Sequence, residues 1–468
     1  MLLLCFSRQN KTRIFQPIMF SLLSESSLLA ESVISMLNNF IFSDSSCQGY
    51  RREERFFSRK SSISFPTLVC LLLSNLSNSL SVELFNLLKD NNLPSFTKSA
   101  FSQRRYQLSY KIFPKMNALL VDLFYGSTGS VVAHWNDFRL CAIDGSSLVL
   151  PNTPSTKAEF GVHRNGNRQK SGLHETVMAR FMAHYDVLNH LIVYSELHPI
   201  AKGELSIVYQ WIENFLADSL TLFDRGFGSF SLFYLMQKYE KAFVARLKLN
   251  FNSVVSNFVK SGQTEAIVTF VSNKKEVIAD MIIPKGSTIQ LRLVRVLLSD
   301  GTIEVLVTSL IDNTKFPAHI FKDLYHLRWG VETCFDRFKN KLLALCFIGH
   351  KAEAILQEIY ASVLIHNIHQ LLVSPAQIIV NQKIEGKINS GFIYKYDQKV
   401  NDNVTIGILK PLLFTLFFNK QSNDNINNII LVFAKYTEPI RPKRVYKRRK
   451  SLAKRRNKTT QTNYRRAA

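Results

Sequence analysis

Two aspartates lie where the sequence could place catalytic carboxylates. Asp144 directly follows the apolar run Leu140–Ile143, and Asp224 directly follows Leu220–Phe223. Both runs are predicted to be core strands, and strand ends in an open α/β sheet project side chains into a crevice where ligands bind. An aspartate at a strand end is also a common turn former, so each residue alone supports either interpretation. Their matching positions favour a shared site.

A third acid, Glu332, lies on a predicted helix that begins near Ala318 and spans Tyr325 to about Leu345. At 100° per residue, four functional side chains fall within about 60° of arc: Tyr325, Arg328, Glu332 and Lys339. Apolar residues occupy a second face of this helix and other polar residues a third, so the stripe is neither the core face nor the ordinary solvent face. Asp336 adjoins the stripe and is a rival carboxylate.

Three carboxylates from separate segments are typical of metal-dependent chemistry on phosphodiesters. Divalent ions held by carboxylate oxygens can activate the attacking oxygen and stabilise the leaving one in an in-line displacement at phosphorus. Arg328 and Lys339 would neutralise phosphates beside such ions, and Tyr325 offers a hydroxyl to a phosphate oxygen. Trp329 could stack on an unpaired base or belong to the core, and the sequence leaves both open.

The elements that must position these residues form an α/β pattern. Strands are predicted from Phe138 onward, followed by alternating helices and strands up to a strand at Phe243–Leu249. This order predicts a mixed sheet flanked by helices. Residues 250–317 contain short β-branched runs and a Ser-Asp-Gly hairpin signal, which predict a β-rich insertion before the Glu332 helix.

The region before the sheet is predicted to be helical and to bind DNA. After a turn at residues 90–95, Thr97 is a plausible N-cap for a helix that reaches about Phe113. This helix carries Lys98, Arg104 and Arg105, and a helix, a short turn and a basic helix together outline a helix-turn-helix. The basic side of an amphipathic helix can equally be an ordinary surface exposed to solvent, with no role in DNA binding.

Charge and composition point to a polyanionic partner. The 468 residues carry a net charge of +24, and the segment from Arg441 to the last residue holds thirteen Lys and Arg with no acid. A positive surface attracts nucleic acid, and a basic tail can grip a phosphate backbone even if it is disordered. The six cysteines show neither a CxxC pair nor zinc-like spacing, and no convincing signal peptide or membrane span is present. We therefore predict a soluble intracellular protein.

The spacing Tyr325-x2-Arg328-x3-Glu332-x6-Lys339, within YHLRWGVETCFDRFKNKL, resembles the YREK signature of insertion-sequence-4-type DDE transposases. AIDGSSLVLPNTP is similar to the segment that carries the first aspartate of that family, and LFDRGFGSF to the segment that carries the second. The three segments occur in the family's order, with its β-rich insertion expected between the second aspartate and the glutamate. The similarity extends from about Phe65 to the basic tail.

The resemblance implies a ribonuclease-H-like core in which Asp144, Asp224 and Glu332 are the catalytic, metal-binding triad. It implies two Mg²⁺ ions, with Mn²⁺ as a substitute, and cut-and-paste transposition that includes strand cleavage and strand transfer. The implied partners are double-stranded DNA, as terminal inverted repeats and target, and a second copy of the chain in a synaptic homodimer. A bacterial, cytoplasmic and nucleoid-associated protein without a membrane partner follows from the same resemblance.

Together these patterns predict seven segments. They are a helical lead-in (1–60), a helical region with the helix-turn-helix (61–130), the first part of the core (131–249), the β-rich insertion (250–317), the second part of the core with the YREK helix (318–375), a C-terminal helical region (376–440) and the basic tail (441–468).

Two alternative functions remain open at this stage. A different ribonuclease-H-like nuclease would need the carboxylates but neither the YREK spacing nor a large β-rich insertion. A non-catalytic DNA-binding protein derived from a transposase is the second alternative, and loss of one acid would favour it. All three acids are present in this chain.

Overall fold

The structure is a computed structural model, and it describes residues 15–74, 79–127, 131–165, 174–216, 218–278, 281–342, 344, 346–418 and 423–441. Almost all of the predicted basic tail therefore lies outside the described residues. The chain divides into two compact units. The described residues of Ala133–Leu148 and Ala179–Phe335 form the sheet unit, and those of Leu2–Val132, Val149–Met178 and Asp336–Ala468 form the helical unit.

The helices of the described chain are α1 (Phe15–Ile41), α2 (Asp44–Tyr50), α3 (Phe65–Leu73), α4 (Leu80–Asp90), α5 (Lys98–Arg105), α6 (Ile112–Gly126), α7 (Pro154–Phe160), α8 (Glu204–Trp211), α9 (Phe230–Lys238), α10 (Ser253–Ser261), α11 (Phe321–His326), α12 (Gly330–Asp336), α13 (Ala352–Asn389), α14 (Asp402–Phe418) and α15 (Asn423–Phe433).

The strands are β1 (Arg139–Val149), β2 (His163–Asn165), β3 (His174–Thr176), β4 (Met178–Asp186), β5 (Leu191–Pro199), β6 (Ser219–Phe223), β7 (Ala242–Leu247), β8 (Glu265–Val271), β9 (Glu276–Ile278), β10 (Met281–Ile283), β11 (Thr288–Leu297), β12 (Ile303–Thr308), β13 (Gln398–Val400) and β14 (Thr437–Pro439).

The sheet unit is built on one eight-stranded mixed sheet in the order β5-β4-β1-β6-β7-β12-β11-β8. Strands β1, β6 and β7 are parallel neighbours, whereas β12, β11 and β8 join by antiparallel pairing. The parallel strands are mostly apolar along their paired lengths, and all five residues of β6 are buried, as is typical of parallel strands whose two faces are both covered. The predicted α/β class, a mixed sheet with flanking helices, is confirmed.

The core of the sheet unit lies between the sheet and helices α8, α9 and α10. Phe233 of α9 stacks on Phe243 of β7 with ring centroids 5.2 Å apart, and Trp211 of α8 and Val255 of α10 are buried in the same cluster. Each of these helices has an apolar stripe, and packing against the face of the sheet removes that stripe from water. This packing fixes the strand ends from which the candidate site is built.

Residues 250–317, predicted as a β-rich insertion, contain β8 to β12, of which β8, β11 and β12 belong to the central sheet. They also contain α10, which the β-branched pattern did not predict. An Asn252 N-cap, whose side chain accepts from the Val255 N–H, starts this helix, and Gly262 in the left-handed region (φ 75°) ends it.

The helical unit is organised around α13, which packs against α1, α3, α6 and α15. Among the described helices, α13 alone is long and apolar enough to span a membrane, and 72% of its most apolar window is buried inside the fold. Burial of this extent is typical of the core helix of a soluble protein.

The predicted helix from Thr97 to about Phe113 is wrong in its length. Thr97 does cap α5, because its hydroxyl accepts from the Ala100 N–H at 3.1 Å, but α5 ends at Arg105. The chain then forms an isolated bridge between Leu108 and Arg51 before α6 begins. The bridge gives the backbone a partner outside the helix, and residue spacing along the chain carries no signal of such a distant contact.

Candidate active site

Strand register brings Asp144 and Asp224 together. The parallel pairing of β1 with β6 ends at Ile143 opposite Phe223, so the two aspartates are the next residues on the two strands. One part of the prediction is corrected here, because Asp144 lies inside β1 and not beyond its end. The strand continues to Val149, but its pairing with β6 stops before Asp144, which leaves the same edge open to a side-chain site.

Arg328 connects the predicted carboxylates of the sheet unit. Its Nη2 donates to Glu332 Oε1 at 2.8 Å, and its Nη1 lies 3.7 Å from Asp144 Oδ2. The same guanidinium lowers the pKa of Asp224. Arg328 is only 2% exposed. A buried cation among three acids is an arrangement in which charge, and not packing, decides the geometry.

A second arginine, Arg246 on β7, holds Asp224. Its Nη2 donates to Asp224 Oδ1 at 2.9 Å and its Nη1 to Glu304 Oε1 at 2.6 Å. The sequence reasoning missed Arg246 and Glu304. A signal was present, because Arg246 interrupts the otherwise apolar run Ala242–Leu247, and a charged residue in a buried strand requires a partner.

The two aspartates have pKa values shifted in opposite directions. Burial raises the pKa of Asp144 to about 6, against the opposing effects of the Gly145 N–H and Arg328. The negative charges of Glu204 and Glu332 raise it further. Burial also acts to raise the pKa of Asp224, but the Arg225 N–H and Arg246 outweigh it, so that this pKa lies below its ordinary value. Carboxylates with such displaced pKa values cluster at functional sites.

Tyr325 contacts the end of β6. Its side chain is buried, and its hydroxyl donates to the Phe223 carbonyl at 3.2 Å, directly before Asp224. Burial raises the pKa of this phenol. In this structure, therefore, Tyr325 fixes the strand end that carries Asp224, and its predicted contact with a phosphate remains a prediction.

Trp329 lies beside Arg328, with its ring 4.8 Å from the guanidinium carbon. It is 44% exposed. Of the two interpretations that the sequence left open, a core position is therefore excluded. An exposed aromatic ring next to a cation is suited to stacking on a base.

The predicted helix that carries these residues is not a regular α-helix throughout. A 3₁₀ turn at Leu327–Trp329 joins α11 to α12, and a π-helical segment at Arg337–Lys341 follows α12. The 100° wheel therefore does not hold along the full stripe, because 3₁₀ and π turns advance by different angles. Lys339 lies in the π segment, where burial lowers the pKa of its amine. It belongs to the helical unit, and its predicted phosphate contact remains a prediction.

The three basic residues predicted on the DNA-reading helix have different surroundings in the helical unit. Lys98 is exposed at the start of α5. Arg104 is half-buried, with Nε donating to the Ile63 carbonyl at 3.0 Å and its guanidinium over the Phe57 ring. The structure contradicts a DNA contact through Arg105, which is 1% exposed and whose guanidinium nitrogens all donate within the protein, to Gln357, Glu358 and the Ala354 carbonyl. A fully buried guanidinium with acidic and amide partners has a structural role.

The donor set fits hard divalent cations such as Mg²⁺, which prefer carboxylate oxygens. Within the described residues, no three acidic, histidine or cysteine side chains stand close enough together to hold an ion as they are placed. Asp144, Glu332 and Asp224 instead share the positive charges of Arg328 and Arg246. Among the described residues, the buried Nε atoms of both arginines have no hydrogen-bond partner, so these residues alone do not satisfy the cluster.

Comparisons with known proteins show what the chain is similar to. The model of a family described as "Transposase DDE domain" matches residues 135–368. Transposase InsG for insertion sequence element IS4 of Escherichia coli (strain K12) is 24% identical over 290 residues, which are 61% of this chain and 63% of that protein. The match thus spans less than two thirds of the relative's length. A solved piggyBac transposase synaptic complex with hairpin DNA is 12% identical, with a TM-score of 0.41 and 84% of each chain covered.

Proposed function

Because this chain belongs to the transposase DDE-domain family, in its insertion-sequence-4 branch, we propose that it is the DNA transposase of an insertion sequence. It binds the terminal inverted repeats as double-stranded DNA, cleaves strands at the element's ends and joins them to target DNA in cut-and-paste transposition. The observation that carries this proposal is the convergence of Asp144, Asp224 and Glu332 around Arg328, within the stretch that the family model matches.

Asp144, Asp224 and Glu332 are the residues that would hold the divalent ions, which we propose to be two Mg²⁺ with Mn²⁺ as a substitute. When bound, such ions activate the attacking oxygen and stabilise the leaving oxygen at phosphorus. Arg246 keeps Asp224 ionised and directed toward the site through its 2.9 Å contact. Tyr325 holds the backbone on which Asp224 is presented, through the Phe223 carbonyl.

Arg328 has two tasks in this proposal. It orients Glu332 through a 2.8 Å hydrogen bond one helical turn away, and its charge would attract a phosphate towards the carboxylates. A guanidinium presents several donors in a fixed plane, which suits a phosphate better than a point charge does. Trp329, exposed beside it, would stack on a base that has left the duplex. Lys339 would supply a further phosphate contact.

DNA binding outside the site rests on charge. The chain carries +24, and each phosphate neutralised by a Lys or Arg releases counterions, so binding should weaken steeply with salt. Exposed Lys98 and the thirteen basic residues from Arg441 onward are the proposed contacts. We further propose that two copies form the synaptic complex, and that the protein acts in the bacterial cytoplasm at the nucleoid.

The test uses a supercoiled plasmid that carries the DNA flanking the gene on both sides, incubated with the purified full chain. With Mg²⁺ we expect excision at the inverted repeats and insertion into a second plasmid, with a short direct duplication at the new junctions. EDTA should abolish both products. Cleavage without preference for the ends would instead support a general nuclease, and end binding without cleavage would support a non-catalytic descendant.

A further inference from the structure

The π-helical segment of the helical unit is held at both ends by one buried acid, Asp402. Arg337, the first residue of the segment, donates from Nε and from Nη2 to Asp402 Oδ2, at 3.1 and 2.9 Å. Lys341, the last residue, places its Nζ 3.6 Å from the same oxygen. The side chains of Arg337 and Asp402 are 10% and 7% exposed. The two contacts together fix the segment against Asp402.

Asp402 is itself fixed, because it is the first residue of α14 and the residue before it caps that helix. The Asn401 side-chain oxygen accepts from the Asn403 N–H at 3.0 Å and from the Val404 N–H at 3.3 Å. The Asn401 N–H in turn donates to the Tyr436 carbonyl at 3.0 Å. The π segment packs against α13 and α14. The carboxylate is therefore a rigid point to which the two cations are drawn.

The backbone between these two cations forms an unusually wide turn. The Leu342 N–H donates to the Arg337 carbonyl at 3.0 Å, five residues earlier in the chain. Turns of this kind are rare in proteins, and they occur frequently at functional sites. A wider turn also changes the directions of the side chains that it carries. The ion pairs with Asp402 stabilise this turn at its first and last residues.

Lys339 lies midway between the two residues that contact Asp402. Side chains four positions apart share one side of a helical turn, whereas a side chain two positions from each of them lies on another side. Because Arg337 and Lys341 face Asp402, Lys339 is directed away from it. Burial lowers the pKa of the Lys339 amine. Burial disfavours the charged form of an amine, and a bound anion favours it again.

We propose, resting on the function proposed above, that Asp402 is a positioning residue for DNA binding that acts through Lys339. By holding both ends of the π segment, Asp402 fixes the backbone from which the Lys339 amine reaches a DNA phosphate. Asp402 does not touch the DNA itself, because it is buried and a carboxylate repels a phosphate. Its pairing with Arg337 joins residues 65 positions apart, so spacing along the chain does not reveal it.

The test is a double-mutant cycle on the Kd for end DNA, measured with the full chain by fluorescence anisotropy in EDTA. Lys339→Met should raise the Kd about 10-fold and reduce the slope of log Kd against log salt by about 0.9, the loss of one phosphate contact. Asp402→Asn should raise the Kd about 5-fold. The double variant should bind as Lys339→Met does, because nothing is left to position. Independent effects would instead multiply to about 50-fold.

The direction of the Asp402→Asn effect is informative by itself. This variant gains one positive charge, and a general charge effect would lower the Kd for DNA. A higher Kd therefore requires loss of a specific contact.

Glu358→Gln is the matched control. Glu358 is also an acid of the helical unit that pairs with a buried arginine, Arg105, with side chains 10% and 2% exposed, and its substitution adds the same charge. We expect its Kd within about 2-fold of the parent, with the same ratio in the Lys339→Met background. Urea unfolding shows which variants are folded. If Asp402→Asn does not fold, Arg337→Lys replaces it, since a lysine cannot make both bonds to Asp402.

A scrambled duplex of equal length separates the two levels of the proposal. If the parent binds the end duplex no more tightly than the scrambled one, the proposed function is wrong, and the role of Asp402 is overturned with it. If the parent prefers ends, three results overturn the role of Asp402 alone. They are a parental Kd in either single variant, multiplying effects of Asp402→Asn and Lys339→Met, and equal coupling of Glu358→Gln to Lys339→Met. Coupling confined to Asp402 supports the proposal.

Discussion

Arg105 in the helical unit and Arg328 in the sheet unit are equally buried, at 1% and 2% exposed, but their surroundings differ. Arg105 donates from Nε to Gln357 at 3.1 Å, from Nη1 to Glu358 at 2.8 Å and from Nη2 to the Ala354 carbonyl at 3.1 Å. Arg328 faces more than one carboxylate, and its Nε has no hydrogen-bond partner among the described residues.

Arg105 has the surroundings of a charge that stabilises the fold, whereas Arg328 has those of a charge at a functional site. Around Arg105 one acid balances one base and each nitrogen has an acceptor, which is how a buried ion pair avoids a net desolvation penalty. Around Arg328 carboxylates are in excess, and one of them, Asp144, has its pKa raised to about 6. An imbalance of this kind lowers stability and is retained at sites that must bind a cation.

The largest effect should come from Asp144→Asn. We expect cleavage of end DNA to fall by about 10³-fold or more, because one of the carboxylates proposed to bind the metal ions is lost. The free energy of unfolding at pH 7 should stay the same or rise by about 1 kcal/mol, because the ionised form of a buried acid with a raised pKa is disfavoured in the fold. Single-turnover cleavage and urea unfolding measure the two quantities. A variant that loses activity and stability in parallel would break the comparison.

Arg105→Met should behave in the opposite way. It leaves the buried Glu358 carboxylate without its positively charged partner. We therefore expect the free energy of unfolding to fall by about 3 kcal/mol. Urea unfolding followed by circular dichroism gives this value. Lys98→Met, on the same helix but exposed, is the matched control and should change stability by less than about 0.5 kcal/mol. Equal losses in the two variants would show that Arg105 does not stabilise the helical unit.

Arg328→Lys tests whether the guanidinium plane is needed in addition to its charge. The lysine keeps the charge but cannot contact Glu332 and Asp144 together, so we expect cleavage to slow about 100-fold. Arg225→Lys, at an exposed neighbour of Asp224, is the control and should remain within about 2-fold. Cleavage by Arg328→Lys at the parental rate would mean that a positive charge alone is sufficient.

The smallest predicted effect concerns His369, fully buried in the helical unit, with its Nε2 2.8 Å from the Thr405 hydroxyl. Burial is the main cause that lowers its pKa to about 3, so the unfolded chain binds the proton more readily than the fold does. The contribution of the neutral His369 ring to the free energy of unfolding is fully present above the ordinary pKa of histidine. It decreases as the pH drops below that value. Between pH 6.5 and 5.5 the loss should be about 1 kcal/mol.

His369→Gln is the variant that isolates this histidine. The pH dependence of urea unfolding between pH 7 and 5.5 should be shallower in His369→Gln than in the parent, whatever its absolute stability. The buried His184 of the sheet unit, whose pKa burial lowers to about 4, remains in both proteins and contributes the same slope to each. Identical slopes would contradict a neutral, buried His369.

The features that depend only on neighbouring residues were predicted best from the sequence. Asp224 at a strand end, Glu332 with Arg328 one turn before it, and the Thr97 cap all depend on spacing within a few residues, and the geometry of each is as expected. The metal-binding and catalytic roles of the acids are still predictions. The 3₁₀ and π segments around Glu332 were not predicted, because tertiary packing overrides helical periodicity.

Contacts between residues that are far apart in the sequence could not be predicted from the sequence pattern. Arg246 with Glu304 and Arg180 with Glu204 become partners only through strand order, which no spacing along the chain encodes. The same limit explains the error at Arg105. It is one of several basic residues on a short helix, and only the fold reveals that Glu358 lies against it.

The most direct test of the central claim compares Glu332→Gln with Asp336→Asn, since Asp336 is the rival carboxylate one turn further on. End DNA with and without Mg²⁺ is assayed for binding by mobility shift and for cleavage in single turnover. The account predicts that Glu332→Gln binds ends as the parent does and cleaves about 10³-fold more slowly or not at all, whereas Asp336→Asn cleaves within about 2-fold of the parent. Cleavage by Glu332→Gln at the parental rate, or its loss in Asp336→Asn alone, would contradict it.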